Sequence, residues 1–348
     1  MVCCLSAPMP QVMRAGLALV VARRVPEAEP EQLSLFECGV DLMALRRERA
    51  EVRLAKLAPN TRRAYGFDWA DFARWCAEAG RASMPASPDT VSLYAVGLAQ
   101  AGRLVSTIER HCAAIAHEHV VAGHVSPLSV EVREVLYGLR RRLGSAPKHA
   151  KAALEVEELR QVLAVCGEGP RGARDRAVLL LGFASAMRSA ELVGLDYEDV
   201  TIADAGVVLL VRRSKTDQEG AGRLVGVHPG KRKATCPVRA VEAWIEERGR
   251  WAGPLFCRLS QPGDSVVRRR LRAEAIADIV QSCARRAGLE ASRYGAHSLR
   301  AGMATAADAV GASTLAIMRR TGHKTVAMVE RYVRHSGLFA VDPLRGVL

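Results

Sequence analysis

Nine cysteines are present, yet none stand in C-x-x-C spacing and only Cys3 and Cys4 are adjacent. Disulfide frameworks and structural zinc sites depend on paired spacing. The thiols therefore read as reduced and mostly core-forming, in a cytoplasmic protein whose sequence calls for no metal or other cofactor. Long apolar runs are missing too. The stretch 15–22 (AGLALVVA) stops at Arg23 and Arg24, far short of the roughly 20 residues a bilayer span needs, and no small-residue cleavage site follows it. The glycines Gly220 and Gly222 lack the context of a nucleotide-binding loop, and no internal repeat is visible. Acid is also short: 37 Asp plus Glu face 50 Lys plus Arg, a formal charge of +13. Such a surface favours a polyanion, nucleic acid first and an acidic membrane second.

The chain has 348 residues, of which 49% are hydrophobic. That is too long for one core of ordinary size, so two domains are expected. Residues 1–40, with Pro8, Pro10, Pro26 and Pro30, read as a loose arm. From Asp41 to Gly144 the pattern is helical throughout. Asn60 or Thr61 is a candidate cap for a helix with Tyr65, Trp69 and Phe72 on one side, and Ser87 or Asp89 for the next. Further helices run from near Ser106 and from Pro127 to the basic end Arg140-Arg141-Arg142. This predicts an all-α bundle over 41–143, a linker over 144–153 and a second domain over 154–348. The second domain is read as mainly α with a small β-sheet, a single β episode formed by 206–211 and 223–227, with helices from Pro237 to about Val333. The pair His117 and His119 mimics metal ligands, but i,i+2 residues diverge on a helix, so both are expected at the surface.

A positive protein that breaks a phosphodiester without a metal needs Arg, Lys or His facing the developing charge. To rejoin the bond without an energy source, it needs a side-chain nucleophile as well. Three segments qualify. Arg188 opens a helix with Glu191 three residues on; an Arg opposes the dipole there and makes sense beside an anion, or as a surface Arg paired to Glu191. His297 and Arg300, at i and i+3, share a helix face, although H-x-x-R alone is a weak signal. Tyr332, between Arg331 and Arg334, follows Gly322-His323 by nine residues and fits poorly as a core residue, although a lone Tyr is more often structural.

In this order and this near the C-terminus, Arg188…Glu191, His297-x-x-Arg300 and Gly322-His323-x₈-Tyr332 resemble the tyrosine recombinase (phage integrase) family. The run from Asn60 to Cys76 resembles the opening of the helical core-binding domain of its Cre-like members. The resemblance spans roughly residues 40 to 340. It implies that Tyr332 attacks a DNA phosphate to give a 3′-phosphotyrosine and a free 5′-hydroxyl, clamped by Arg188 and Arg300. His297 and His323 would add hydrogen bonds, His297 also accepting the tyrosine proton, with Glu191 orienting the cations. A free tyrosine, with a pKa near 10, is a poor nucleophile at neutral pH, so the neighbouring charge matters. The family's general-acid lysine would be Lys215 in the hairpin, with Lys231 and Lys233 as competitors. Arg140, Arg141, Arg142, Lys148 and Lys151 would contact DNA phosphates, the linker crossing the duplex. Four protomers would act on two double-stranded DNA sites, the tail after Tyr332 (336–348) docking on a neighbour. Two rivals are weighed against this: a DNA-binding protein of the same fold without catalysis, and a type IB topoisomerase.

Overall fold

Proline or serine sets several of the helix starts in the first half of the chain. The computed structural model describes residues 56–144, 151–212, 222–261 and 263–333, with positions 41, 43–45, 48, 49, 52 and 214 besides. The chain divides into Met1–Arg62 and Arg63–Leu348. In the former, Asp41 Oδ1 accepts from the N–H groups of Met43 (2.9 Å) and Ala44 (3.0 Å), capping a helical turn. The arm 1–40, most of the linker and the tail 336–348 lie outside the described residues.

Helix α1 (Pro59–Glu78) begins at the proline itself, before either expected cap. A first-turn proline gives up an N–H the helix could not have used. Helix α2 (Pro88–Gln100) repeats this, with Ser87 accepting from Thr90 N–H. Helices α3 (Val105–Val121) and α4 (Val130–Leu143) follow, the latter capped by Ser129. Phe72, Cys76, Val91, Tyr94, Ile108, Cys112, Ile115 and Val132 form their common core. Asp68 is buried in the same helices, held by Arg110 (2.7 and 3.0 Å) and by His111 Nε2 (3.1 Å). His119 corrects the surface expectation, because it is fully buried. Its Nδ1–H donates to Ile115 O (2.7 Å) and its Nε2 accepts from Ala86 N–H (2.8 Å). The imidazole satisfies two backbone groups rather than a ligand.

The later part is mainly helical with two small antiparallel sheets. Its helices are α5 (Val156–Ala164), α6 (Gly169–Ser185), α7 (Ser189–Gly194), α8 (Pro237–Arg248), α9 (Glu274–Arg286), α10 (Ala296–Ala309), α11 (Thr314–Thr321) and α12 (Val326–Val333). The expected hairpin is present as β2 (Gly206–Val211) and β3 (Arg223–Val227), in register from Val207↔Val227 to Val211↔Arg223. Val207, Leu209 and Val211 point inward while Val208 and Leu210 face out. The single-episode expectation is too simple. A third strand, β1 (Val200–Ala203), flanks β2, and β4 (Cys257–Leu259) pairs with β5 (Val266–Arg270). Both additions are short or charged, so period-2 patterning is faint.

The large core joins α6 and α8 to the inner face of the three-stranded sheet and to α9, with Trp244 and Phe256 fully buried. Trp244 Nε1–H donates to Leu255 O (2.8 Å). Helix α10 lies so close to the start of this region that a Cβ at Gly302 would collide with Leu154 O and Phe183. Among the described residues, Cys76, Cys112, Cys166, Cys236, Cys257 and Cys283 are buried free thiols. No helix among them is long and apolar enough to cross a membrane.

Candidate active site

The site starts at a strained turn. Helix α6 ends at Ser185, whose hydroxyl donates to Leu181 O (2.6 Å) and accepts from Met187 N–H (3.3 Å). Ala186 then takes left-handed backbone angles, φ 53°, uncommon for a residue with a Cβ and concentrated at functional sites. This reversal leaves Arg188 as the residue capping α7. Arg188 Nη1 donates to Glu191 Oε1 (2.6 Å), so the sequence-level ion pair is real. It is not an ordinary surface pair, because the Glu191 side chain is only 2% exposed.

The same turn aims the Ala186 carbonyl at Arg300, which donates to it through Nη1 (2.7 Å). Arg300 is 1% exposed, and its Nη2 donates to His323 Nε2 (2.8 Å). An arginine cannot accept, so Nε2 of His323 is the acceptor and Nδ1 carries the proton. That proton goes to Thr321 Oγ1 (2.9 Å), whose own hydroxyl donates to Ile317 O (2.7 Å). Gly322, at φ 68°, supplies the left-handed end of α11 that turns His323 inward. Burial, then Arg300 and Arg188, push the His323 pKa down to about 4.

Tyr332 joins the cluster from α12. Its ring stacks on His323 with centroids 5.3 Å apart and 17° between planes, and its hydroxyl lies 2.7 Å from His297 Nε2. The His297 pKa is also held below its usual value, first by packing and then by Arg300 and Arg188. A ring neutral at pH 7 can take the phenolic proton on Nε2. Thr305 Oγ1–H donates to Tyr332 O (3.2 Å), fastening α12 to the helix that carries His297 and Arg300.

Five of the six catalytic candidates, with Glu191, thus form one connected constellation. Lys215, the sixth, lies outside the described residues, as does Lys148. Lys231 and Lys233 are exposed between β3 and α8. Lys151 is exposed, its Nζ donating to Ser292 O (2.5 Å). Arg140 pairs with Glu109 through Nε (3.1 Å) and Nη2, whereas Arg141 and Arg142 are exposed. Among the described residues no group of His, Cys, Asp or Glu is placed to hold a metal ion. The sequence reading missed Arg223, whose Nη2 donates to Glu191 Oε2 (3.1 Å), and Arg320, whose guanidinium donates to Gly226 O. Neither belongs to a local motif.

Residues 152–337 match the phage integrase family. An integrase/recombinase XerD homolog of Selenomonas ruminantium is 34% identical over 302 residues, covering 85% of this chain and 88% of the relative. The chain belongs to the phage integrase family. It is a tyrosine recombinase, a site-specific enzyme that cleaves and rejoins DNA strands. The tyrosine recombinase XerC of Syntrophus aciditrophicus is 28% identical over 53% of the chain and 57% of its own length. Among solved structures, a lambda integrase dimer bound to a COC′ core site aligns with TM-score 0.57 at 15% identity, over 86% of this chain and 98% of that one. The integrase of transposon Tn1549 in complex with a circular intermediate DNA aligns with TM-score 0.53 at 14% identity, over 91% and 97%.

Proposed function

We propose that this recombinase attacks a scissile DNA phosphate with the Tyr332 hydroxyl and passes the phenolic proton to His297. The observation that carries this reading is the 2.7 Å approach of that hydroxyl to His297 Nε2, inside a cluster that also holds Arg188, Arg300 and His323. Arg188 and Arg300 take the non-bridging oxygens through the N–H groups that Glu191, the Ala186 carbonyl and His323 leave over. His323 braces Arg300 and stacks beneath the nucleophile. Glu191 holds Arg188, and Lys215 protonates the departing 5′ oxygen. The bond made to tyrosine conserves the energy of the bond broken, so another 5′-hydroxyl reverses the step and exchanges strands.

DNA is the partner in this reading, in the cytoplasm and gripped by two domains, 41–143 and 154–348, with the linker 144–153 across the duplex. Arg141, Arg142, Lys148 and Lys151 contact phosphates, and Arg140 joins them on leaving Glu109. Four protomers assemble on two sites, each tail 336–348 docking on a neighbour. The +13 charge and the DNA-bound state of the lambda and Tn1549 integrases support DNA as the partner.

Covalent trapping tests the chemistry. The protein is incubated in EDTA with nicked duplexes tiled across the DNA flanking its gene, beside Tyr332→Phe, and resolved on a denaturing gel. An adduct with wild type alone is the expected result. An adduct that survives Tyr332→Phe would move the nucleophile elsewhere.

A further inference from the structure

Glu191 is shared between two arginines. Its Oε1 accepts from Arg188 Nη1 (2.6 Å), while Oε2 accepts from Arg223 Nη2 (3.1 Å) and from the backbone N–H of Arg188 (3.3 Å). With the carboxylate 2% exposed, these donors rather than water complete its shell.

Arg223 reaches further than this pair. Its Nη1 donates to Arg320 O (3.4 Å) in the last turn of α11. Its guanidinium lies 3.8–4.0 Å from where a Cβ on Gly322 would stand, against the turn that presents His323. Arg223 is also the first residue of β3, directly after the loop whose sequence contains Lys215. One side chain therefore touches the support of Arg188 and the support of His323.

A buried carboxylate prefers a two-pronged arginine partner. Without Arg223, Oε2 would keep a single backbone donor, and Arg188 would turn both prongs of its fork onto Glu191. The second prong would then be lost to anything outside. With Oε2 occupied, Arg188 spends one side-chain N–H on Glu191. The rest of its guanidinium, on a side chain 22% exposed, stays available.

We propose that Arg223 is a positioning residue for strand cleavage: by holding Glu191 Oε2 and the Gly322 turn, it keeps the free face of Arg188 directed at the scissile phosphate. This rests on the reading of Arg188 as a phosphate clamp and Tyr332 as the nucleophile.

The test is single-turnover adduct formation on a nicked duplex that wild type cleaves. The scissile linkage is made once as an ordinary phosphate and once as a methylphosphonate, in which a methyl replaces one charged oxygen. Arg223→Gln should slow cleavage of the phosphate roughly 100-fold, the scale of an ångström-sized misplacement, with DNA affinity and melting temperature near wild type. On the uncharged methylphosphonate the gap to wild type should narrow, because a misdirected Arg188 matters less there. Arg223→Lys should recover only part of the loss, since an ammonium cannot bridge the carboxylate and the turn. Adding Arg223→Gln to Glu191→Gln should cost little beyond Glu191→Gln alone. Wild-type rates for Arg223→Gln on the phosphate would overturn the proposal. So would an equal deficit on both substrates accompanied by a lowered melting temperature, the mark of a merely structural role. An adduct persisting in Tyr332→Phe would bring down the underlying site assignment and this proposal with it.

Discussion

The Tyr332 hydroxyl lies 2.7 Å from His297 Nε2, with the ring of His323 stacked on the same phenol. One histidine meets the phenolic oxygen and the other meets the face of the ring. The two imidazoles therefore have different jobs, and titration separates them.

His297 accepts a proton only while neutral, and its surroundings hold its pKa below the usual value. Cleavage should stay flat from pH 8 down past about 6.5, the ordinary histidine value, and fall only below that. His297→Gln should be slower by about 10² to 10⁴, the usual span for a lost proton acceptor, and should lose the acid limb of the profile. Single-turnover rates between pH 5 and 8 give both readings; an unchanged acid limb in the variant would rule out His297 as the acceptor.

His323 should appear in stability rather than in rate. Its folded pKa is about 4, against about 6.5 unfolded. As pH falls through 6.5 the unfolded chain takes the proton first. Stability is therefore complete above that value and declines towards pH 4. Urea midpoints should drop between pH 7 and 5 in wild type and drop less in His323→Gln. Parallel slopes would show that another group dominates the window.

Gly302→Ala should destabilise the protein by about 1–3 kcal/mol, the scale of overpacking. The new methyl meets Leu154 O and Phe183, and α10 must move to make room. Because α10 carries His297 and Arg300, cleavage should fall along with the melting temperature. Gly194, with nothing within 4 Å of an added Cβ, provides the control: Gly194→Ala should leave both close to wild type.

DNA affinity should depend on salt through the free arginines at the end of α4. Arg141→Ala or Arg142→Ala should each reduce the slope of log K against log salt by about 0.9. Arg140→Ala should reduce it less, because Arg140 is engaged with Glu109. Filter binding or fluorescence anisotropy over 50–300 mM salt measures this. Equal losses at all three positions would mean that the Glu109 pair offsets nothing, and no loss at Arg140 that it stays on Glu109.

The cluster around Tyr332 is legible in sequence because short spacings encode it. The pairs Arg188/Glu191 and His297/Arg300 are each three apart on one helix, and Gly322 marks the turn before His323. Arg223 was not readable. It stands 32 positions from Glu191, at the mouth of a hairpin, and nothing local distinguishes it from other arginines of a basic chain. His119 was misjudged for a related reason: the i,i+2 rule asked only whether His117 could be its partner, whereas its actual partner is Ala86 N–H, 33 residues away. Strand β5 was hidden because its Arg268-Arg269-Arg270 run breaks the alternation that betrays a strand, and β4 is only three residues long. Helix α1 began at Pro59 because backbone geometry outranked side-chain capping there.

Helix α12 packs through Val329 against Ala304 and Ile317, a small cluster set apart from the large core. Arg188 and Arg300 are anchored elsewhere, Arg300 on the Ala186 carbonyl and Arg188 on Glu191. Undocking α12 would therefore cost, among the described residues, that small cluster, the Thr305 hydrogen bond and the contacts of Tyr332 with His297 and His323, while Arg188 and Arg300 keep their own anchors. On the proposed reading, a protomer with α12 undocked would still grip a phosphate without cutting it. Holding and cutting would then be separate settings of one subunit.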